Sequence, residues 1–139
     1  MQSNLNATHA EYLKNLSIPA FNDMQTAFIE KADSAGNLML LSPTGSGKTL
    51  AFLIPLVNKL HPDAVGVQAL IVTPSRELAL QIEQVFRAMK TFYKVSVCYG
   101  GHSMKIEQNS LSEAPAVIIG TPGRLSDHIV RKSFDALSV

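Results

Sequence analysis

Apolar residues along this chain recur in two rhythms. At residues 38–41, 68–73, 95–98 and 116–119 they form short, nearly unbroken runs, each followed by a turn rich in Gly, Pro, Ser or Thr. After each turn they return every three or four positions instead. The runs predict strands buried on both faces, and the spaced positions predict amphipathic helices. Leu78, Ile82, Val85, Phe86 and Met89 mark one such helix, opened by Pro74-Ser75, and others are expected over about 48–60, 103–111 and 124–131. Two more precede the first run. Thr8 and Glu11 have capping-box spacing and open a helix to about Leu16, after which Ile18-Pro19-Ala20 breaks the pattern. Asn22 then opens a helix with Met24, Ala27, Phe28 and Ala32 on one face and Gly36 as its stop.

Four strands alternating with helices predict an α/β fold, a parallel sheet joined by right-handed crossovers and covered by helices on both faces. In such sheets ligands bind beyond the carboxyl ends of the strands. The turns after the four runs are therefore where chemistry is expected. No repeat or low-complexity tract interrupts the 139 residues, which read as one continuous unit.

Composition narrows this picture. With 46% apolar and 17% charged residues the chain is globular. Twelve basic against eleven acidic residues leave a net charge of +1, so nucleic acid would have to be held by a few placed donors and not by bulk charge. A single cysteine excludes a disulfide framework, and Cys98, inside Val95-Ser96-Val97-Cys98, reads as a buried, inert thiol. The four histidines lack metal-ligand spacing and read as surface or packing residues. No run has membrane-spanning length and the N-terminus has no signal-peptide pattern, so a soluble, cytoplasmic protein without membrane contacts is expected.

The turn after the first run reads Ser42-Pro43-Thr44-Gly45-Ser46-Gly47-Lys48-Thr49. Gly45 and Gly47 permit a tight turn whose backbone N–H groups converge on a polyphosphate, and the following helix points its positive end at the same anion. Lys48 supplies a full charge for the terminal phosphates, and the Thr49 hydroxyl is the candidate Mg²⁺ ligand. Strand, loop and helix are the context this motif requires. The strict pattern has Gly where this chain has Ser42.

Three further turns follow in order: Pro74-Ser75-Arg76-Glu77-Leu78-Ala79, Gly100-Gly101, and Thr121-Pro122-Gly123-Arg124-Leu125. Together with Gln25 and the phosphate loop, they resemble the N-terminal RecA-like domain of DEAD-box RNA helicases of superfamily 2, over about residues 16–133. Ser42 and Ser75 differ from the usual family motifs, and Phe21-Asn22 stands where the family usually shows Pro-Thr before the glutamine. The resemblance implies a RecA-like P-loop fold that binds ATP and Mg²⁺ through Thr44, Gly45, Ser46, Gly47, Lys48 and Thr49, with Lys48 and Thr49 serving catalysis. It also implies that Gln25 hydrogen-bonds adenine. Asn22 and Gln25 have capping-box spacing as well, and on the residue pattern alone the cap is the stronger reading; both roles can coexist. Ile18 stands where the family carries an aromatic that stacks on the base, which predicts weaker base affinity. Ser75, Arg76, Gly100, Gly101, Thr121, Gly123 and Arg124 match family loops that grip the RNA backbone without reading sequence. Taken singly, Arg76 could instead pair with Glu77, Gly100-Gly101 could be a plain turn, and Thr121-Pro122 a helix start. Lys90, Lys94, Arg131 and Lys132 read as solvated surface.

Neither Asp-Glu-x-Asp nor Asp-Glu-x-His occurs in the sequence. The acidic pair that hydrolysis needs is thus expected beyond residue 139, and residues 134–139 read as the run-in to its strand. The second RecA-like domain of the parent chain, a further partner in the resemblance, is absent too. The expectation is the ATP-binding part of an RNA helicase, inactive by itself and prone to self-association through uncovered strand edges. The alternatives are a superfamily 2 translocase on DNA and a non-catalytic nucleotide or RNA-binding module.

Overall fold

The structure is a computed structural model that describes residues 2–139, with side chains from residue 7 onward. Branched residues crowd three segments, and each becomes a strand: β1 (Ala69–Val72), β2 (Val95–Cys98) and β3 (Val117–Gly120). The helices are α1 (Gln2–Asn15), α2 (Asp23–Ala32), α3 (Lys48–Asn58), α4 (Arg76–Ala88), α5 (Met104–Ser112) and α6 (Pro122–Val130). By contacts the chain divides into two compact units, Met1–Lys59 with Ala88–Lys90, and Leu60–Arg87 with Thr91–Val139.

The second unit holds the sheet. All pairing is parallel in the order β1-β3-β2, with Ala69 and Val95 both opposite Val117, and Val72 and Cys98 both opposite Gly120. Helix α4 connects β1 to β2, and α5 connects β2 to β3. A parallel neighbour can be reached only by such a crossover. Because β3 lies between two partners, all four of its residues are buried, which accounts for its unbroken apolar run. Ile118 anchors a cluster with Val67, Cys98, Leu111 and Leu125, against which Leu70 and Phe134 pack. Gly120 ends the central strand where no side chain fits: a Cβ there would stand 2.6 Å from the Cys98 carbonyl oxygen and 2.9 Å from Leu125.

The first unit is helical, with α2 packed on α3. Asn22 caps α2, accepting from the Gln25 N–H, while the Gln25 side chain accepts from the Asn22 N–H. The expected capping box is therefore present.

Several expectations need correction. Residues 38–41 form no strand; Leu38, Met39 and Leu41 are exposed, the last two to 85% and 86%. An apolar run is a strand only when a neighbour completes its backbone hydrogen bonds, and composition cannot supply the neighbour. Helix α1 begins at Gln2, so Thr8 and Glu11 lie inside it; a spacing of three is one helical turn as well as a capping box. Helix α2 stops at Ala32, ahead of Gly36, with the N–H groups of Asp33, Ser34 and Ala35 closing on the Lys31 carbonyl. Residues 134–139 carry a short 3₁₀ turn at Ala136–Ser138.

Candidate functional site

The loop expected to bind phosphate, residues 42–49, lies in the first unit. Gly45 and Gly47 have φ of +80° and +91°, backbone that side chains with a Cβ rarely adopt, so both glycines are needed for the turn. The Ser46 N–H closes it on the Pro43 carbonyl at 3.2 Å. Ser42, the departure from the strict motif, donates its hydroxyl to Ser46 Oγ at 2.6 Å, and Ser46 Oγ donates to the Pro43 carbonyl at 2.6 Å. A glycine could not make that brace. Lys48 Nζ donates to the Ser42 and Pro43 carbonyls at 2.6 and 2.7 Å, which holds the ammonium against the loop. In α3 the Ala51 N–H bonds back to Gly47, so the N–H groups of Lys48, Thr49 and Leu50 belong to the first turn, where a helix offers no acceptor. Thr44 and Gly45 are exposed at the loop tip, with nothing within 4 Å of a Cβ placed on Gly45. Thr49 is half-buried on the helix.

Gln25 is bound to this loop. Its side chain is almost fully buried, and besides capping α2 it donates from Nε2 to the Gly47 carbonyl at 3.1 Å. Asn22 Nδ2 donates to the Ser46 carbonyl at 3.0 Å. The first turn of α2 is thus stitched to the two residues before Lys48. The Gln25 amide keeps one hydrogen and one lone pair beyond these bonds. Ile18 is half-buried past the end of α1.

The other candidate residues lie in the second unit, and the structure draws three of their loops together. Ser75 caps α4, its hydroxyl accepting from the Leu78 N–H at 3.2 Å. Arg76 is exposed; it meets Glu77 at 3.5 Å, and its guanidinium lies 5.9 Å from the Tyr99 ring centroid. Tyr99 in turn stacks on His102, centroids 5.0 Å apart. Gly100 and Gly101 are exposed between them, Gly101 with φ of +86°. Thr121 precedes α6, and the Leu125 N–H bonds back to its carbonyl. The N–H groups of Gly123 and Arg124 therefore sit in the first turn of α6. Gly123 is exposed, whereas the Arg124 side chain is only 13% exposed.

What holds Arg124 is a residue the sequence reading did not single out. Glu107 is fully buried on α5, and its Oε1 accepts from Arg124 Nε and from His128 Nε2, each at 2.7 Å. Its Oε2 accepts from the Tyr99 N–H at 3.0 Å and from His102 Nδ1 at 2.9 Å. The Arg124 guanidinium also donates to the His102 carbonyl, and His128 Nδ1 pairs with Ser133 Oγ at 3.0 Å. Burial would push the Glu107 carboxyl up, but hydrogen bonds from His128, Arg124, the Tyr99 N–H and His102 outweigh it and hold it below the usual glutamate range. Cys98, fully buried as expected, is pushed up to about 12, by burial first and then by the Glu107 charge, with Arg124 partly offsetting. Cys98, Glu107 and His128 bring ligand-type atoms within 4.8 Å of one another. Both Glu107 oxygens and both His128 nitrogens are already bonded, so these two residues belong to a hydrogen-bond network, and the Cys98 thiol beside them is protonated. A signal for it was present: Glu107 falls four residues before buried Leu111, and Arg124 and His128 are one turn apart. An acid on an apolar stripe requires a partner.

With this geometry in view, the chain can be compared with known proteins. A family described as DEAD/DEAH box helicase matches residues 22–139. The ATP-dependent RNA helicase DBP8 of Debaryomyces hansenii is 36% identical over 130 residues, 92% of this chain and 30% of that protein. The ATP-dependent RNA helicase DeaD of Klebsiella pneumoniae is 34% identical over 137 residues, 94% of this chain and 21% of the other. Among solved structures, a DEAD box protein from the hyperthermophile Methanococcus jannaschii superposes with a TM-score of 0.83 at 31% identity, covering 92% of this chain and 36% of that one. The chain therefore spans about a third or less of the length of these relatives.

Proposed function

The chain belongs to the DEAD/DEAH box helicase family, and from that premise we propose that it is the ATP-binding portion of a helicase that couples ATP binding and hydrolysis to RNA unwinding or RNA–protein remodelling. The observation that carries the nucleotide reading is the braced loop before α3. It combines two left-handed glycines, first-turn N–H donors and a lysine held at the loop, with the α2 cap bonded to its backbone. These residues fit a magnesium-bound nucleoside triphosphate. The open turn at Gly45 would give phosphates access to the N–H groups, Lys48 would turn from its carbonyl partners to phosphate oxygens, and the Thr49 hydroxyl would serve the metal. When bound, Mg²⁺ neutralises charge on the terminal phosphates. The remaining hydrogen and lone pair of Gln25 suit adenine's acceptor and donor edge.

The proposal extends to RNA. Arg76, Ser75, the Gly100-Gly101 turn, Thr121 and the α6 first turn at Gly123 and Arg124 offer a fork, hydroxyls and backbone donors. These suit phosphates and 2′-hydroxyls and carry no sequence code. Because residues 1–139 contain no Asp-Glu-x-Asp or Asp-Glu-x-His, this polypeptide by itself is proposed to bind nucleotide without turning it over. In this reading it acts with a second RecA-like domain of the same parent chain, in a cytoplasmic setting suited to its one reduced thiol.

Calorimetric titration with Mg²⁺–ATP tests the reading. Wild type should bind, and Lys48→Ala should bind at least about tenfold more weakly, or about 1.4 kcal/mol. Equal affinities would remove the nucleotide site. Phosphate release stimulated by RNA from this polypeptide would remove the claim of no turnover. Gln25→Ala should weaken ATP more than GTP; equal loss would leave Gln25 a cap only.

A further inference from the structure

Arg124 and Glu107 do not stand where a phosphate-gripping arginine and a surface acid would. The Arg124 side chain is 13% exposed, and its guanidinium is spent on Glu107 Oε1 and the His102 carbonyl. Glu107 is fully buried and accepts from four groups on two segments: Tyr99 and His102 in the loop after β2, and Arg124 and His128 in α6. These segments carry the exposed Gly100-Gly101 turn and the free first-turn N–H groups of α6. One buried carboxylate therefore lies under both sets of backbone donors.

We propose that Glu107 is a positioning residue that fastens the loop after β2 to the first turn of α6, and that Arg124 serves the site through its backbone N–H while its guanidinium is part of the tie. The inference rests on the reading of these loops as an RNA-backbone surface, and deepens it. The chemistry favours a carboxylate. Four donors converge on two oxygens, and only an ionised carboxyl accepts at both. A glutamine of the same shape must turn an NH₂ toward either the Tyr99–His102 pair or the Arg124–His128 pair, releasing one segment from the other. Serial phosphates of an RNA strand are bound well only when successive donors keep a fixed spacing, so the released loops should bind singly and weakly.

The test uses the 139-residue chain, a short oligouridylate, and ¹H–¹⁵N spectra of the Gly100, Gly101, Gly123 and Arg124 amides. In wild type the four amides should shift together at one midpoint. In Glu107→Gln, at a temperature where its spectrum remains dispersed, they should shift at separate midpoints with overall affinity reduced about tenfold. Arg124→Ala should cost a similar factor, and the double variant no more than either single change, because both break one tie. Additive losses would overturn the proposal in favour of a direct Arg124–phosphate contact. A Glu107→Gln protein with wild-type affinity and a common midpoint would overturn it outright. If Glu107→Gln does not fold, Arg124→Lys, which keeps the charge and backbone N–H but loses the fork, takes its place. It should separate the midpoints, and a common midpoint would refute the tie. Failure of the underlying reading has a different signature: no loop amide of wild type shifts with RNA, and Arg76→Ala binds as wild type does. That outcome also removes the proposal.

Discussion

Replacing Gly47 by alanine perturbs two things at once, and the structure separates them. The first is backbone strain. Gly47 has φ of +91°, and a residue with a Cβ held in the left-handed region costs about 1–2 kcal/mol. The second is a collision. The new Cβ would stand 2.4 Å from Gln25 Nε2 and 3.3 Å from its Cδ, so the glutamine must leave. Its departure breaks the bond to the Gly47 carbonyl and the reciprocal cap on Asn22, each worth about 0.5–1.5 kcal/mol. The total for Gly47→Ala is therefore about 2–5 kcal/mol, against about 1–3 kcal/mol for Gln25→Ala alone. Once Gln25 is already alanine, only the strain of about 1–2 kcal/mol remains for the glycine change. The double variant should thus be about as stable as Gly47→Ala, not the sum of the two. Urea unfolding followed by far-ultraviolet circular dichroism measures this, since the chain has no tryptophan to report. Losses that add to within about 0.5 kcal/mol would refute the reasoning, because independent sites add to that precision. Nucleotide affinity should fall in the same order, as the N–H groups beyond Gly47 lose their fixed direction.

Two further outcomes follow from the buried network. Glu107 titrates below the usual glutamate range when folded, so the folded state binds fewer protons than the unfolded one. Its contribution to stability is complete above the unfolded value of about 4.3 and is lost as pH falls through the lower folded value. Unfolding free energies from about pH 7 to about pH 2 should show a loss over that acidic window which Glu107→Gln, already weaker at neutral pH, lacks; parallel curves would count against it. Cys98, pushed up to about 12, should be thiolate to only about one part in ten thousand at pH 8. Iodoacetamide labelling read by mass spectrometry should be slow in the native protein and rapid in urea, and comparable native labelling would contradict its burial.

The geometry of the glycine-rich loop before α3 could be read from residue types because its requirements are local. Two glycines set the turn, the following helix sets the dipole, and Lys48 and Thr49 are placed by direct chain continuity. The same holds for the α2 cap, where Asn22 and Gln25 are three residues apart, and for the apolar run at 95–98, which is β2 to the residue. Residues 38–41 show the limit of such reasoning. Their composition is that of a buried strand, but a strand exists only if another chain segment pairs with it. Gln25 donating to Gly47, Ser42 bracing Ser46, and Gly120 clearing a path for Cys98 and Leu125 each depend on side-chain direction or close approach. Of these, only the Ser42 brace stays within one turn. The Glu107 tie is the extreme case. It joins groups 5 to 21 positions away in the chain around one carboxylate, and nothing in local propensity encodes it. Local sequence determined where the left-handed glycines and the helix starts fall; long-range packing decided that Arg124 points inward and that one buried acid joins two of those turns.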